Sequence, residues 1–195
     1  MPSSPGTRIV ATAPGATALG PPARVYAEAM SRPVPDPPAP GQESVWDYPR
    51  PPRAEARDVR VVIRFGGAVI VDTTDVVRVL ETSHPPVYYL PTSAFRAGAL
   101  VRAAGSSFCE FKGQASYLDV VGGAGVRASR AAWTYPSPSR GFESLVGRVA
   151  VYAGPMDEVT VDGEVVVPQP GGFYGGWITS GVAGPFKGGP GSFGW

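Results

Sequence analysis

Apolar and polar residues alternate with a period of two through residues 58–72 (DVRVVIRFGGAVIVD), and this pattern constrains the fold more than any other feature. In its first half, valine, isoleucine and phenylalanine alternate mainly with arginines, so a strand would have one apolar and one polar face. Gly66 and Gly67 can adopt the positive φ angles that a two-residue hairpin turn requires. The stretch therefore predicts a β-hairpin in which Ile63 lies opposite Ile70.

Further short strand patterns follow, separated by turn signals. We expect strands at residues 76–81, 87–90, 108–121, 126–135 and 146–154. A second hairpin should turn on Asp162 and Gly163, with Val161 opposite Glu164. Residues 94–104 (AFRAGALVRAA) are predicted to form a short helix. Many short strands, frequent turns and one or two short helices indicate a mostly-β domain built from compact antiparallel sheets.

Glycine and proline divide the chain into three parts. The 26 glycines and 23 prolines make up about a quarter of the residues and are concentrated at both ends. Residues 1–44 are predicted to be a disordered, proline-rich segment, because proline lacks the amide donor of helices and sheets. Residues 45–167 form the predicted β domain. Residues 168–195 lose periodicity but contain many aromatic residues, so we expect this tail to pack irregularly onto the domain.

Composition excludes several classes of site. With one cysteine and one histidine, the chain can form neither an intrachain disulfide nor a zinc site of four Cys and His ligands. A net charge of +1 gives no strong field to attract nucleic acid. The chain lacks an apolar run of membrane-spanning length, and prolines interrupt any N-terminal signal sequence. We therefore expect a cytoplasmic protein with no metal, no cofactor, and no nucleic-acid or membrane partner.

The only two lysines occur in the same tripeptide, Phe-Lys-Gly, whereas the other 15 cationic side chains are arginines. If residues 107–118 form one strand, Cys109 lies on the apolar face as a small buried side chain and Lys112 lies on a polar row. Lys112 then either belongs to a solvated sheet face or lines a groove as a point charge for an anion. Lys187 lies in a glycine-rich loop, whose backbone amides could also contact an anion.

The stretch ETSHPPVYY, residues 81–89, contains the only histidine, His84. Any histidine-based acid or base must therefore use this residue. Glu81 could orient His84, or could pair with Lys112 if their strands are neighbours. Alternatively, His84 is a loop residue that bonds a backbone carbonyl before the rigid Pro85-Pro86 pair.

Several motifs carry a family resemblance. ESVWDYPRPP, VLETSHPPVYYLP, SFCEFKGQASY, AAWTYPSP and the tail from VDGEVVVPQP onward occur in this order over residues 43–195. Together they resemble the bacterial domain-of-unknown-function family numbered 427, which implies a compact β domain of tent-like, or Mss4-like, kind. The family is sometimes labelled nucleotidyltransferase-like. This chain, however, has no P-loop, and its Asp72 and Asp75 flank an expected turn instead of forming a cluster that could hold two metals.

The sequence leaves three functions open. In the first, the protein is a binding module with a cleft for a small anionic or aromatic ligand, because aromatic rings supply stacking and lysine supplies charge. The candidate ligand-binding residues are Glu81, His84, Tyr89, Lys112, Trp133, Tyr135 and Lys187. In the second, the protein is an enzyme in which Glu81 or His84 is the base and Lys112 stabilises an anion. In the third, the protein is a structural or interaction domain. Exposed aromatic residues of the tail could also join two copies into a homodimer.

Overall fold

A computed structural model describes residues 33–192 and 194–195. Most of the segment predicted to be disordered, residues 1–32, lies outside the described residues. The strands are β1 (Glu43–Ser44), β2 (Arg53–Phe65), β3 (Ala68–Leu80), β4 (Val87–Pro91), β5 (Leu100–Cys109), β6 (Gly113–Val121), β7 (Arg127–Thr134), β8 (Arg148–Val151), β9 (Glu158–Val161), β10 (Glu164–Val165), β11 (Val167–Pro168), β12 (Trp177–Ile178) and β13 (Val182–Ala183). Three-residue 3-10 helices lie at Thr92–Ala94, Gly123–Gly125 and Glu143–Leu145. No helix in the described part of the chain is long and apolar enough to cross a membrane.

Nine strands form one antiparallel sheet in the order β10-β9-β2-β3-β4-β8-β7-β6-β5. Two small pairs complete the strand structure: β11 with β12, antiparallel, and β1 with β13, parallel. The predicted mostly-β, antiparallel architecture is therefore confirmed. Strands β2 and β3, each of 13 residues, form the long hairpin near the centre of the sheet.

The central hairpin turns where the sequence predicts, on Gly66 and Gly67, whose φ angles are +60° and +73°. The predicted register is wrong by one residue, because Ile63 pairs with Val71 instead of Ile70. A β-bulge at this point places an extra residue in β3. Ile70 and Val71 are consecutive, yet each is only 1% exposed, so the bulge lets both side chains enter the core. The second hairpin has the predicted register, with Val161 opposite Glu164.

The predicted helix at residues 94–104 is wrong. After the 3-10 helix Thr92–Ala94, the chain enters the edge strand β5 at Leu100. Gly98, inside the predicted helix, has a φ angle of +78°, which a right-handed helix does not accommodate. Pairing of β5 with β6 supplies the backbone hydrogen bonds instead, so tertiary context overrides the helix propensity of the alanines.

The continuous strand predicted at residues 108–121 is also wrong. Cys109 pairs with Gly113, so residues 110–112 form a tight turn between β5 and β6. Gly113 has a φ of +90°, which is typical of glycine at the end of a three-residue hairpin loop. Lys112 therefore does not share a polar row with Gln114. Lys112 is buried in the turn, whereas Gln114 is exposed.

The sheet is covered on both faces, and consecutive residues contribute to different cores. In β4, Tyr88 packs in one core and Tyr89 in the other. The first core, which includes Ile63 and Leu90, also takes in Trp177 from the tail. Trp177 stacks on Tyr88 with a centroid distance of 5.1 Å, and its Nε1 donates a hydrogen bond to the carbonyl of Val151. The tail therefore supplies part of the interior.

Residues at both ends of the described chain meet in space. Strand β1 pairs with β13, so Glu43 and Ser44 lie beside Val182 and Ala183. The amide of Asp36 also donates a hydrogen bond to the carbonyl of Gly184 at 2.9 Å. These contacts fall in residues 33–44, the last part of the segment for which the sequence predicts disorder.

An ion-pair network attaches strand β1 to the main sheet. Arg78 of β3 is 8% exposed and bonds both carboxylate oxygens of Glu43 at 2.9 Å. The same guanidinium bonds Glu55 of β2 at 2.7 and 2.9 Å. Burial alone would raise the pKa of Glu43, but hydrogen bonds from Arg78 and Tyr48 outweigh it, so the pKa lies below its ordinary value. The network therefore holds two carboxylates around one buried cation.

We predict that Arg78→Met lowers the free energy of unfolding by about 3 kcal/mol, because it leaves two neighbouring carboxylates without their cation. Arg60→Met is the matched control, because Arg60 also bonds a carboxylate, Asp72, with two nitrogens, but both side chains are exposed. The control should cost less than about 1 kcal/mol. Urea unfolding of the two variants measures both values, and equal losses would contradict the structural role given to Arg78.

Candidate functional site

A cavity of about 420 Å³ lies on the face of the sheet that carries Tyr89, and all seven candidate residues line it. Its walls come from the ends of β3 and β4, the β5–β6 hairpin, strand β7 and the tail. The seven residues are Glu81, His84, Tyr89, Lys112, Trp133, Tyr135 and Lys187. Residues separated by more than 100 positions therefore meet around one concavity. Their role in binding a ligand stays a prediction.

Lys112 enters the cavity because the β5–β6 turn folds it inward. Its side chain is 11% exposed, and the nearest carboxylate oxygen, Oε2 of Glu81, lies 3.8 Å from Nζ. That distance is compatible with an ion pair but too long for a hydrogen bond. The Phe142 ring centroid lies 5.9 Å from Nζ. Among the described residues, no acceptor takes a hydrogen bond from this ammonium group.

Glu81 follows β3 and links Lys112 to a second cation. Its Oε1 accepts a hydrogen bond from Arg50 at 3.1 Å, so the predicted Glu81–Lys112 pairing is part of a larger group. The second terminal nitrogen of Arg50 donates to Glu110 at 3.0 Å. Both terminal nitrogens of Arg50 are therefore engaged by carboxylates at the rim of the cavity. No local pattern in the sequence pointed to Arg50, which lies in an irregular segment between prolines.

Gln169 fixes the hydrogen-bonding state of His84. Its side-chain Oε1 accepts from the amide of Gly176, and its Nε2 donates to the carbonyl of Lys187. The second hydrogen of Nε2 then points to His84 Nδ1, 3.1 Å away, so Nδ1 is the acceptor. The neutral imidazole consequently carries its proton on Nε2. Within residues 33–192 and 194–195 this Nε2–H has no partner, and it remains available as a donor.

The surroundings of His84 keep its imidazole neutral. Burial, together with the positive charges of Lys187, Lys112 and Arg50, lowers the pKa of His84 to about 3. At neutral pH, Nδ1 is occupied by Gln169 and Nε2 already holds a proton. His84 is therefore suited to donate a hydrogen bond and poorly suited to accept a proton.

Lys187, the second lysine, lines the same cavity and is held by a hydrogen bond to the main chain. Its Nζ donates to the main-chain oxygen of Trp195 at 2.7 Å. Burial and the neighbouring Arg50 lower the pKa of Lys187, and Glu81 partly opposes this effect. The amide of Lys187 donates to the carbonyl of Ser83, and the amide of Gly188 donates to Ser192 Oγ. These two amides of the glycine-rich loop are therefore not free to bind an anion.

Aromatic rings form most of the remaining wall. Trp133 contacts Tyr152 at a centroid distance of 4.6 Å and donates from Nε1 to the hydroxyl of Tyr89. Burial raises the pKa of Tyr89 and of Tyr135, so both phenols are neutral. Tyr174 of the tail packs edge-on against His84, with a centroid distance of 4.5 Å. Tyr152 and Tyr174 also line the cavity but were not among the predicted site residues. Tyr152 lies within the strand predicted at residues 146–154, and Tyr174 lies in the aromatic-rich tail.

Cys109 also lines the cavity and is half-buried. The predicted alternation would have placed Cys109 and Lys112 on opposite faces of one strand. The turn brings both to the same concavity instead. Among the described residues, no group of three or more His, Cys, Asp or Glu side chains could hold a metal ion.

We predict that acidification destabilises the protein through His84. The unfolded-state pKa is about 6.5 and the folded-state value is about 3, so the unfolded chain binds the proton first as the pH falls. The stabilisation is complete above pH 6.5 and is lost toward pH 3, amounting to about 2 kcal/mol between pH 7 and 5. His84→Asn, which retains an acceptor for Gln169, should remove this dependence. Urea unfolding at both pH values checks it, and an unchanged difference in the variant would contradict the assignment.

Comparison with known proteins gives one family. No curated protein matches the chain. The family model described as "Domain of unknown function (DUF427)", also labelled NTP_transf_9, matches residues 53–162, from β2 to the second hairpin turn. The match covers more than half of the 195 residues and includes six of the seven candidate residues, all except Lys187. The chain therefore belongs to the DUF427 family, as its sequence motifs indicated.

Proposed function

We propose that the protein binds a small ligand in the cavity around Lys112, and that this ligand has an anionic group and an aromatic or apolar body. The observation that carries the proposal is the ammonium group of Lys112. It is largely shielded from solvent, faces a cavity, and makes no hydrogen bond to any described residue. Its one charged partner, Glu81, lies at ion-pair distance, so an anionic acceptor from a ligand would add a charge-assisted hydrogen bond there.

The rest of the cavity suits the other part of such a ligand. Its volume of about 420 Å³ falls within the range of small-molecule sites, which are mostly apolar with a few placed polar groups. Trp133, Tyr135 and Tyr152 offer rings for stacking. The polar groups are grouped around Glu81, His84 and Lys112. The cavity thus combines a charged end with an aromatic wall.

Catalysis by the same groups has less support. His84 is neutral and has no free position for a proton at neutral pH, so it is a poor general base. Glu81 accepts a hydrogen bond from Arg50 through Oε1 and has Lys112 beside Oε2, so both of its carboxylate oxygens already face a cation. A purely structural role would require neither the concavity nor an ammonium group that makes no hydrogen bond to a described residue.

We predict that Lys112→Met weakens ligand binding by about 10- to 100-fold, because a charge-assisted hydrogen bond contributes about 1.5–3 kcal/mol. Native mass spectrometry of the purified protein with a defined mixture of aromatic carboxylates, nucleotides and sugar phosphates identifies a bound compound, and titration then measures its affinity. Methionine keeps the apolar stem of lysine and removes only the charge.

Arg102→Met is the matched control, because Arg102 is an exposed cation on β5 that does not line the cavity. The Arg102→Met variant should bind the same compound with the affinity of the unaltered protein. Thermal unfolding of both variants verifies that each is folded. Undiminished binding by a folded Lys112→Met variant would rule out the proposed function.

A further inference from the structure

A second cavity, of about 470 Å³, adjoins the first and shares part of its wall. The residues that line both cavities are Tyr117, Tyr152, Phe173, Tyr174 and Gly175. We propose that the second cavity is a separate binding site, with Arg130 as its anchor, for an aryl compound that carries an oxyanion such as a phosphate or a carboxylate group. The proposal goes beyond the function proposed for the first cavity and does not depend on Lys112.

Arg130 is the one charged residue among the described residues that line the second cavity. Its guanidinium group makes no hydrogen bond or ion pair with any described residue. Asp119 accepts from the amide of Arg130 through Oδ1, but its Oδ2 is taken by the guanidinium of Arg127 at 2.6 and 2.8 Å. An anion in this cavity would therefore meet an unpaired cation and no carboxylate of the wall.

The Arg130 side chain is exposed, yet the surrounding structure holds it in place. Arg130 lies in a β-bulge of β7 and has a φ of +50°, a conformation that its amide bond to Asp119, at 2.7 Å, stabilises. Its guanidinium carbon lies 4.2 Å from the ring centroid of Tyr117, which is a close cation–π contact. It also passes near Gly105, where a Cβ would lie 3.7 Å from the same carbon. A guanidinium held in this way loses less conformational entropy when it binds an anion.

The loop of residues 171–176 supplies backbone donors to the same cavity. Gly175 is buried, and its amide donates no hydrogen bond to any described residue. Unpaired buried amides are rare in proteins, and a ligand in either of the cavities that Gly175 lines could supply the acceptor. The amides of Gly172, Phe173 and Tyr174 likewise donate to no described residue. Successive free amides in a glycine-rich loop are a common way to bind oxyanions.

The remaining wall is suited to an aryl body. Tyr117, Tyr152, Phe173 and Tyr174 contribute aromatic rings. The hydroxyl of Tyr117 donates to Ser107 Oγ, and that of Tyr152 donates to the carbonyl of Phe173, so both are engaged within the protein. The volume of the cavity lies in the range of small-molecule sites. An oxyanion at Arg130 with a ring against these side chains would use both parts of the wall.

The test is made in Lys112→Met protein, in which the proposed anchor of the first cavity is absent. Isothermal titration at neutral pH measures binding of phenyl phosphate, benzoate and benzyl alcohol, which have similar rings and different head groups. We expect one molecule of phenyl phosphate or benzoate to bind per chain, at least about 10-fold more tightly than benzyl alcohol, because a charge-assisted hydrogen bond is stronger than a neutral one. The anion that binds more tightly identifies which oxyanion the site prefers.

Arg130→Gln, added to the Lys112→Met protein, should weaken binding of that anion by at least about 10-fold and leave benzyl alcohol unaffected. Arg130→Asn is a second variant, because asparagine tolerates a positive φ better than most residues, and it should show the same loss. Arg102→Gln is the matched control, since Arg102 is an exposed arginine that lines neither cavity. This control should bind like its parent. Thermal unfolding verifies that each variant is folded.

Four results would overturn the inference. They are undiminished binding in folded Arg130→Gln and Arg130→Asn variants, an equal loss in Arg102→Gln, benzyl alcohol binding as tightly as both anions, and no binding of either anion at millimolar concentration. In protein that retains Lys112, a single binding event weakened by both Lys112→Met and Arg130→Gln would show one extended site. That result would also overturn the separate site, but the proposed function would survive. Conversely, a first cavity whose ligand binding is insensitive to Lys112→Met would refute the proposed function and leave this inference standing.

Discussion

Burial of the central strands on both faces is the constraint on which the rest of this structure depends. In β4, Tyr88 and Tyr89 belong to different cores, and Val76 and Val77 in β3 are divided in the same way. When both faces of a sheet are buried, other segments of the chain must pack against each face. The tail provides part of it, since Trp177 fills one side by stacking on Tyr88. On the other side the aromatic residues are spaced around a cavity, and the packing there is completed by the β5–β6 turn and the tail.

At the polar end of the cavity, most of the charged and polar side chains already have hydrogen-bond partners within the protein. Arg50 satisfies two carboxylates, Gln169 fixes the imidazole of His84, and Lys187 is bonded to the main chain. Each of these groups is held in one geometry by a partner. Lys112 differs, because its closest carboxylate lies beyond hydrogen-bonding distance. Of the three cations at this end, Lys112 is therefore the one that makes no hydrogen bond to a described residue.

Sequence patterns predicted the regular parts of the fold and seven residues that line one cavity, but they did not predict how that cavity is built. Period-two alternation and glycine turns identified both hairpins, because these signals are local. The bulge at Ile70, the strand β5 and the turn at residues 110–112 were missed, because each depends on pairing with distant residues. Lys112 lies beside Glu81 for a reason different from the predicted one, since it lies in a turn and not on a polar row. Arg50 and Tyr174 come from irregular segments and carry no periodic signal.

The segment matched by the family model ends at residue 162, before the tail begins. Trp177, Tyr174 and Lys187 lie beyond that point, yet one fills a core and the other two line the cavity. A polypeptide cut at the family boundaries would thus expose an apolar face and open one side of the concavity. Searches for relatives that share this cavity should accordingly span both the matched region and the glycine-rich sequence after it, because neither part alone holds the complete wall.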